Sequence, residues 1–307
     1  MKKIVIISSI LFLLFGSMSI AQATLITQKV SDNVYALVGE MGDRSSNNLG
    51  NNSTHGFIVT NEGVILMDSG GSYLGAQQIH QAIQKITDKP VKVVINTGGQ
   101  DHRWMGNEYF HKLGAKIISS SKTHQDQIAR TDFHMSKLDK LIGKSLNGTH
   151  PFYSTDTFDS TKIVDFGGVH LELYYFGPAH TIGDIVVWLP RQKIIFAGDI
   201  VFNDRMLGIG PAKNFQSWMN TFEKMASLKP EHIIPGHGNP SDLATAMHNT
   251  YDYLALLKKE VGKILENDGS MVDIEKIDQS EFGYLKNYDA FFGKNAQWVF
   301  EQMEFDF

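Results

Sequence analysis

Five acidic or imidazole side chains each come shortly after an apolar run that predicts a β-strand. They are Asp68, His102, His180, Asp199 and His237. Loops at one end of a sheet bring side chains from distant parts of a chain to a common point on a rigid scaffold. The chain contains no cysteine, so metal ligands must be imidazole, carboxylate or amide groups. The pattern therefore predicts a metal site at the ends of the strands.

The spacing of apolar residues predicts the layers of the fold. Helices are expected at 75–86 and 104–113 in the first half, and at about 215–228 and 243–265 in the second. The predicted strands are 33–38, 55–59, 63–67, 91–95, 163–166, 169–176, 184–189, 194–197 and 233–234. Two groups of strands, each accompanied by helices, indicate an α/β fold in which two sheets stack between helical layers, an αββα four-layer sandwich.

The first 23 residues have the pattern of a secretory signal peptide. Two lysines precede an apolar run at 4–15, and Ala21 and Ala23 form an A-x-A cleavage site. The run is shorter than the roughly 20 residues that span a bilayer. A periplasmic or secreted protein is therefore expected, with no stable membrane insertion once residues 1–23 are removed.

The remaining chain is expected to form one domain over 24–270, followed by a C-terminal helical extension over 271–307 packed on the same domain. Its acidic and basic residues are interspersed, and the full chain has a formal net charge of −5. No basic face indicates nucleic acid as a partner. A small-molecule substrate is expected instead.

Six segments in order along the chain resemble the motifs of the metallo-β-lactamase-fold hydrolases. They are Gly56–Thr60, Leu66–Gly70, Asn96–Asn107, Gly177–Thr181, Gly198–Asp199 and Pro235–Gly238. Two further segments, Val186–Pro190 and Leu207–Asn214, look most like the true β-lactamases of that family. The resemblance implies the αββα sandwich and a metal-dependent hydrolase.

The chain departs from the family in its first metal-binding motif. Family members read Asn-Thr-His-x-His-x-Asp followed by His or Arg, whereas an ungapped alignment here gives Gly98 and Gln100 at the two His positions. His102 replaces the Asp, and Arg103 matches the final Arg. Both usual His ligands of the first zinc are therefore missing.

The donors left by this departure are His102, His180, Asp199 and His237, and the resemblance implies that they hold one zinc ion, with iron a less expected metal. Four donors on one ion give the closed pattern of a structural site, whereas three leave a position for water. The sequence leaves both arrangements open. Asp199 and His102 are also the predicted catalytic residues, whereas Asp68 is expected to bond loop amides beside the site.

Two functions are compatible with this pattern. The first is an exported metal-dependent hydrolase of a cyclic amide, ester or thioester that uses metal-activated water. An anionic substrate would then be oriented by Arg103, Arg205, Lys213 or Asn214. The β-lactamase Lys three residues after the ligand is absent, because Phe202 stands there. The alternative is a non-catalytic or structural-metal binding protein that retains the fold but has lost the dinuclear centre.

Cleavage after Ala23 gives the first testable prediction. We expect protein isolated from the native host to begin at Thr24, because the A-x-A site directly follows the apolar core and its small residues. Intact-mass measurement of the purified chain checks this. Recovery of the full-length chain from the cytoplasm would show that the segment is not a cleaved export signal.

Overall fold

The structure is a computed structural model that describes residues 23–210, 212 and 214–304. Residues 1–22 of the predicted signal peptide therefore lie outside the described residues, as does the candidate substrate-binding Lys213. Among the described residues, no helix combines the length and the apolar content that crossing a membrane requires.

Two β-sheets make up the centre of the described chain. The seven-stranded sheet follows chain order, antiparallel from β1 to β4 and parallel from β4 to β7. Its strands are β1 (Ile26–Lys29), β2 (Val34–Val38), β3 (Thr54–Val59), β4 (Val64–Met67), β5 (Val91–Ile95), β6 (Lys116–Ser120) and β7 (Asp156–Phe158).

The five-stranded sheet has the order β12-β11-β10-β9-β8, and only its β11–β12 pair is parallel. Its strands are β8 (Thr161–Phe166), β9 (Val169–Tyr174), β10 (Val186–Leu189), β11 (Ile194–Phe202) and β12 (His232–His237).

Helices cover the outer face of each sheet, which confirms the predicted αββα sandwich. The helices are α1 (Tyr73–Gln84), α2 (Asp101–Trp104), α3 (Asn107–Lys112), α4 (Ser121–Ile142), α5 (Phe215–Ser227), α6 (Leu243–Ala246), α7 (Tyr253–Glu266) and α8 (Tyr288–Met303). Short 3₁₀ helices occur at Gly143–Leu146, Met271–Lys276 and Ser280–Phe282.

The strand β4 shows why its sequence forms a central strand. All four of its residues are buried. Val64 and Leu66 pack toward α1 and α3, whereas Ile65 and Met67 lie in the apolar layer shared with the second sheet. Successive side chains on a strand point to opposite faces. A strand buried on both faces therefore reads as a continuous apolar run.

Three helical predictions differ from the structure. The expected helix at 104–113 is two short helices, α2 and α3. The expected helix at 243–265 widens at Met247–Asp252 into a π-helical stretch between α6 and α7. The 22-residue helix α4 was not predicted, because few of its side chains are buried and its apolar stripe is weak.

The C-terminal helix α8 is fixed to the second sheet layer by Asn295, which is 1% exposed. The Asn295 side chain accepts a hydrogen bond from the Ile209 backbone N–H at 2.9 Å and donates to the Leu207 carbonyl at 2.8 Å. It also donates to the Tyr253 hydroxyl at 3.1 Å. One amide thus joins α8, α7 and the loop after β11.

Replacement of Asn295 tests this anchor. We expect Asn295→Ala to lower the free energy of unfolding by at least about 2 kcal/mol, because it leaves the Ile209 N–H and the Leu207 carbonyl buried without partners. Urea denaturation measures the change. The control is Gln297→Ala, an exposed position on the same helix, where a change within about 0.5 kcal/mol is expected. Equal effects of the two substitutions would contradict the anchoring role.

Candidate metal centre

Two parallel strands of the second sheet position Asp199 and His237. The sequence placed Asp199 beyond the end of a strand at 194–197, but β11 runs through Asp199 to Phe202, and His237 is the last residue of β12. The pairing of β11 with β12 shifts around Gly198. Gly198 has φ of +52°, and a Cβ there would lie 2.3 Å from the Thr97 hydroxyl. Glycine is therefore required to present Asp199 at this bend.

His102, Asp199 and His237 form a cluster of metal-binding donors. Among the described residues, these three each offer a ligand atom within 4.8 Å of the others, and all three are buried. Nε2 of His102 lies 3.2 Å from Asp199 Oδ2, and Nε2 of His237 lies 3.3 Å from Asp199 Oδ1. Two ligands of a tetrahedral zinc ion, each about 2.0–2.1 Å from it, lie about 3.3–3.4 Å apart. The spacing fits one ion.

The hydrogen bonds of His237 leave its Nε2 atom free for a metal. Its Nδ1 atom lies 2.9 Å from the Asn52 carbonyl, which only accepts hydrogen bonds, so Nδ1 carries the proton. Arg205 also approaches Nδ1, at 3.3 Å, but its nitrogen donates to the Gly42 carbonyl at 3.0 Å. Burial, together with Arg205, holds the pKa of His237 well below its usual range. The neutral ring therefore faces Asp199 with a lone pair, and a cation between these two acceptors satisfies both.

Arg103 is the residue that holds Asp199 in place. Its Nε and Nη2 atoms donate to the two oxygens of Asp199, at 3.3 and 2.5 Å. Its other N–H groups reach the Thr54 carbonyl at 3.0 Å, Asp68 at 3.0 Å and the Gly236 carbonyl at 2.8 Å. The side chain is fully buried. Arg103 was expected to orient a substrate. That expectation is wrong, because all five guanidinium N–H groups of Arg103 donate to acceptors within the protein.

Asp68 has the supporting role that was expected for it. Its carboxylate accepts hydrogen bonds from the Thr97 N–H and hydroxyl, both at 2.7 Å, and pairs with Arg103. Its φ of +64° is unusual for a residue other than glycine. The side chain thus fixes the turn after β5 that leads to α2.

His180 is the predicted ligand that the structure does not bring into the cluster. Its Nε2 atom lies 3.2 Å from the Gln100 amide nitrogen, so the lone pair that would bind a metal accepts a hydrogen bond instead. Arg130 orients that amide by donating to its oxygen at 3.2 Å, and Arg130 is itself paired with Asp126. Burial lowers the pKa of His180 to about 4. The ring is therefore a neutral acceptor for Gln100.

The space beside Gly98 is filled by another carboxyl group. A Cβ at position 98 would lie 2.3 Å from Asp184 Oδ1. Asp184 is held there by the Thr181 N–H and hydroxyl, both at 2.5 Å. Burial raises the pKa of Asp184 to about 8, so it is mainly neutral at pH 7. Asp184 therefore occupies the space that a ligand side chain at position 98 would need.

A cleft of about 260 Å³ opens beside the three donors. Arg205, a predicted substrate-binding residue, lines this cleft, and burial and neighbouring Arg44 lower the pKa of Arg205 to about 10. Asn214 does not reach it, since its side chain caps α5 by accepting from the Ser217 N–H at 2.8 Å.

The sequence analysis missed several residues of the cleft wall. These comprise cations from two helices and a loop, together with two aromatic rings of α8: Arg44, Lys137, Lys294, Phe291 and Trp298. Of these residues, Arg44 is the one that the sequence could have indicated, because it is the only Lys or Arg between Lys29 and Lys85. The α8 residues carried no motif.

Comparison with known proteins identifies the family of the chain. The family model described as "Metallo-beta-lactamase superfamily" matches residues 50–237. A metallo-beta-lactamase type 2 of Elizabethkingia meningoseptica is 28% identical over 65% of this chain and 74% of its own length. The metallo-beta-lactamase IND-1 of Chryseobacterium indologenes is 27% identical over 59% of this chain and 70% of its own length.

A solved structure supports the fold. The metallo-beta-lactamase from Pontibacter korlensis superposes with a TM-score of 0.58 at 24% identity, covering 73% of this chain and 96% of that chain. The homologues indicate a metal-dependent hydrolase and a divalent metal, commonly zinc. The resemblance seen in the motifs is thus confirmed, and the chain belongs to the metallo-beta-lactamase superfamily.

Proposed function

We propose that this protein is an exported hydrolase that uses one metal ion, held by His102, Asp199 and His237, to cleave a cyclic amide, ester or thioester in a small anionic substrate. The observation that carries the proposal is the three-donor cluster beside the cleft. Three protein ligands leave one tetrahedral position for water or substrate, which is the pattern of catalytic zinc sites. Zinc is the expected ion, and iron remains the less expected one.

A metal ion bound there would polarise a carbonyl group and lower the pKa of water. The chain itself supplies the fixed donors. Asp199 cannot rotate away, because Arg103 holds both of its oxygens, and the Asn52 carbonyl fixes the ring of His237. Partners of this kind orient metal ligands in many proteins.

The charge of the cleft supports an anionic substrate. Four cationic side chains line it against one exposed carboxylate, that of Asp43: Arg44, Lys137, Arg205 and Lys294. Clefts lined by one sign of charge attract ligands of the opposite sign. Phe291 and Trp298 add an apolar wall.

Export to the periplasm or the medium is part of the proposal and rests on the sequence of residues 1–23. The domain limits are proposed with it, namely one catalytic domain over 24–270 and an extension over 271–307 that completes the cleft. The anchoring of α8 by Asn295 supports a shared domain.

One observation favours the alternative, a binding protein without catalysis. Hydrogen bonds from Gln100 and Arg103 to His180 and Asp199 hold the site together without any ion. Hydrolysis of a panel of chromogenic cyclic amides, lactones and thioesters, with and without added Zn²⁺, separates the two functions. Tight binding without turnover of any panel member would favour the alternative.

Metal content gives a direct test of the site. We expect one transition metal ion per chain after dialysis, and His237→Ala to weaken zinc binding at least 10–100-fold, as measured by chelator competition. His111→Ala, an exposed ring stacked on Phe152, is the matched control and should bind as the wild type does.

The same measurement tests the loss of the first site. We expect Gln100→His to add no second ion, because Gly98 supplies no ligand and Asp184 fills the space beside it. Two ions that survive dialysis, in the wild type or in Gln100→His, would contradict this.

The charge of the cleft is tested at Lys294. We expect Lys294→Met to raise KM about 2–5-fold for a chromogenic cephem carboxylate, which is the effect of one exposed ion pair. The KM for its neutral ester should stay unchanged, as should kcat for both compounds. Lys258→Met, on the exposed side of α7, is the control. A similar rise for the neutral ester would show that Lys294 acts through shape and not charge.

A further inference from the structure

The loop between β2 and β3 places Arg44 against the ring of His102. A terminal guanidinium nitrogen of Arg44 contacts His102 Nδ1 and also Asp101. A guanidinium group only donates hydrogen bonds. Nδ1 of His102 must therefore accept, so a neutral His102 ring carries its proton on Nε2.

This proton lies on the atom that the metal needs. Nε2 of His102 is 3.2 Å from Asp199 Oδ2, a distance at which an N–H group donates to the carboxylate. His237 has the opposite tautomer, because its Nδ1–H group donates a hydrogen bond to the Asn52 carbonyl. The Nε2 atom of His237 thus has a lone pair that can bind a metal ion, whereas the Nε2 atom of His102 carries a proton.

Asp101 offers His102 a second arrangement. Its Oδ1 atom lies 3.4 Å from His102 Nδ1 and accepts the His102 backbone N–H at 2.8 Å. If Arg44 withdraws, Asp101 can accept a hydrogen bond from the Nδ1–H group of the other His102 tautomer, in which the lone pair is on Nε2. Arg44 lines the cleft, and its Nε atom has no hydrogen-bond partner among the described residues. The Arg44 guanidinium is held by its ion pair with Asp101, so a move of Arg44 into the cleft breaks that pair and frees the Asp101 carboxylate.

We infer that Arg44 is a positioning residue that keeps His102 in the tautomer that cannot bind metal, and that metal binding requires Asp101 to replace Arg44 at Nδ1. This inference rests on the proposed metal centre. It makes Arg44 a residue whose removal strengthens metal binding, whereas loss of a partner that supports a ligand normally weakens it.

The tautomer itself is measured on metal-free protein. In ¹⁵N-histidine-labelled wild type, the two ring nitrogens of His102, assigned by their absence in His102→Ala, should show the Nε2–H form. In Arg44→Met they should show the Nδ1–H form. An Nδ1–H ring in the wild type would overturn the inference without any variant being needed.

Zinc affinity, measured by chelator competition, tests the consequence. Arg44→Met should bind zinc about tenfold more tightly than the wild type, in line with the 10–100-fold effects of partners of metal ligands. Lys137→Met removes another cation of the same cleft, one that makes no hydrogen bond with His102 within the described part of the chain. It therefore measures the effect of charge alone and should give a smaller gain. Thermal denaturation confirms that each variant is folded.

The double variant Arg44→Met/Asp101→Asn identifies the replacement partner. The gain in zinc affinity should be lost, because an amide is a weaker acceptor for the Nδ1 proton than a carboxylate. If the gain persists in the double variant, or equals that of Lys137→Met, Arg44 weakens zinc binding only through repulsion between its charge and the ion. Either result would overturn the inference. Absence of zinc binding in every variant would overturn the proposed metal centre, whereas the ¹⁵N spectra would still decide the tautomer.

Discussion

The buried guanidinium of Arg103 is the interaction on which the site depends. It lies on α2, after the first sheet's β5, and its partners come from both sheets: Thr54 and Asp68 from the first, Asp199 and Gly236 from the second. One side chain therefore fixes the separation of the two sheets at the edge where the donors meet. Because removal of one partner from a buried ion pair costs about 3–5 kcal/mol, this cluster tolerates little change.

Contacts between protein groups are found where the family has the His ligands of its first metal-binding motif. Gln100 donates to the His180 lone pair, and Asp184 fills the space that a side chain at position 98 would need. Gln100 is in turn oriented by Arg130, which is paired with Asp126. The departure from the family pattern is thus a repacked region in which the Nε2 atom of His180 has a protein partner, and not a simple deletion of ligands.

The sequence predicted the parts of the molecule that depend on local pattern. Strand β4 is apolar because both its faces are buried, and Asp199 and His237 stand in recognisable motifs. The prediction was wrong where a side chain's role depends on its distant partners. From its position in the sequence, Arg103 is expected to be a free cation next to the site. Its N–H groups instead donate to four residues that lie between positions 54 and 236. His180 keeps its motif, yet its lone pair is taken by Gln100, eighty positions earlier in the chain. Asn214 reads as a site residue and caps a helix.

The residues of the site come from two separate parts of the chain. The three donors and Arg103 lie at or before position 237, whereas Phe291 and Trp298 of α8 complete the wall of the cleft. These rings lie against backbone at Gly208 and Gly210, where any larger residue would displace them. The wall of the cleft thus joins segments that lie more than eighty residues apart in the chain. Asp199 and His237 lie within the residues that the family model matches, whereas the aromatic wall of the cleft lies beyond them, in α8, and can therefore change without a change in those donors.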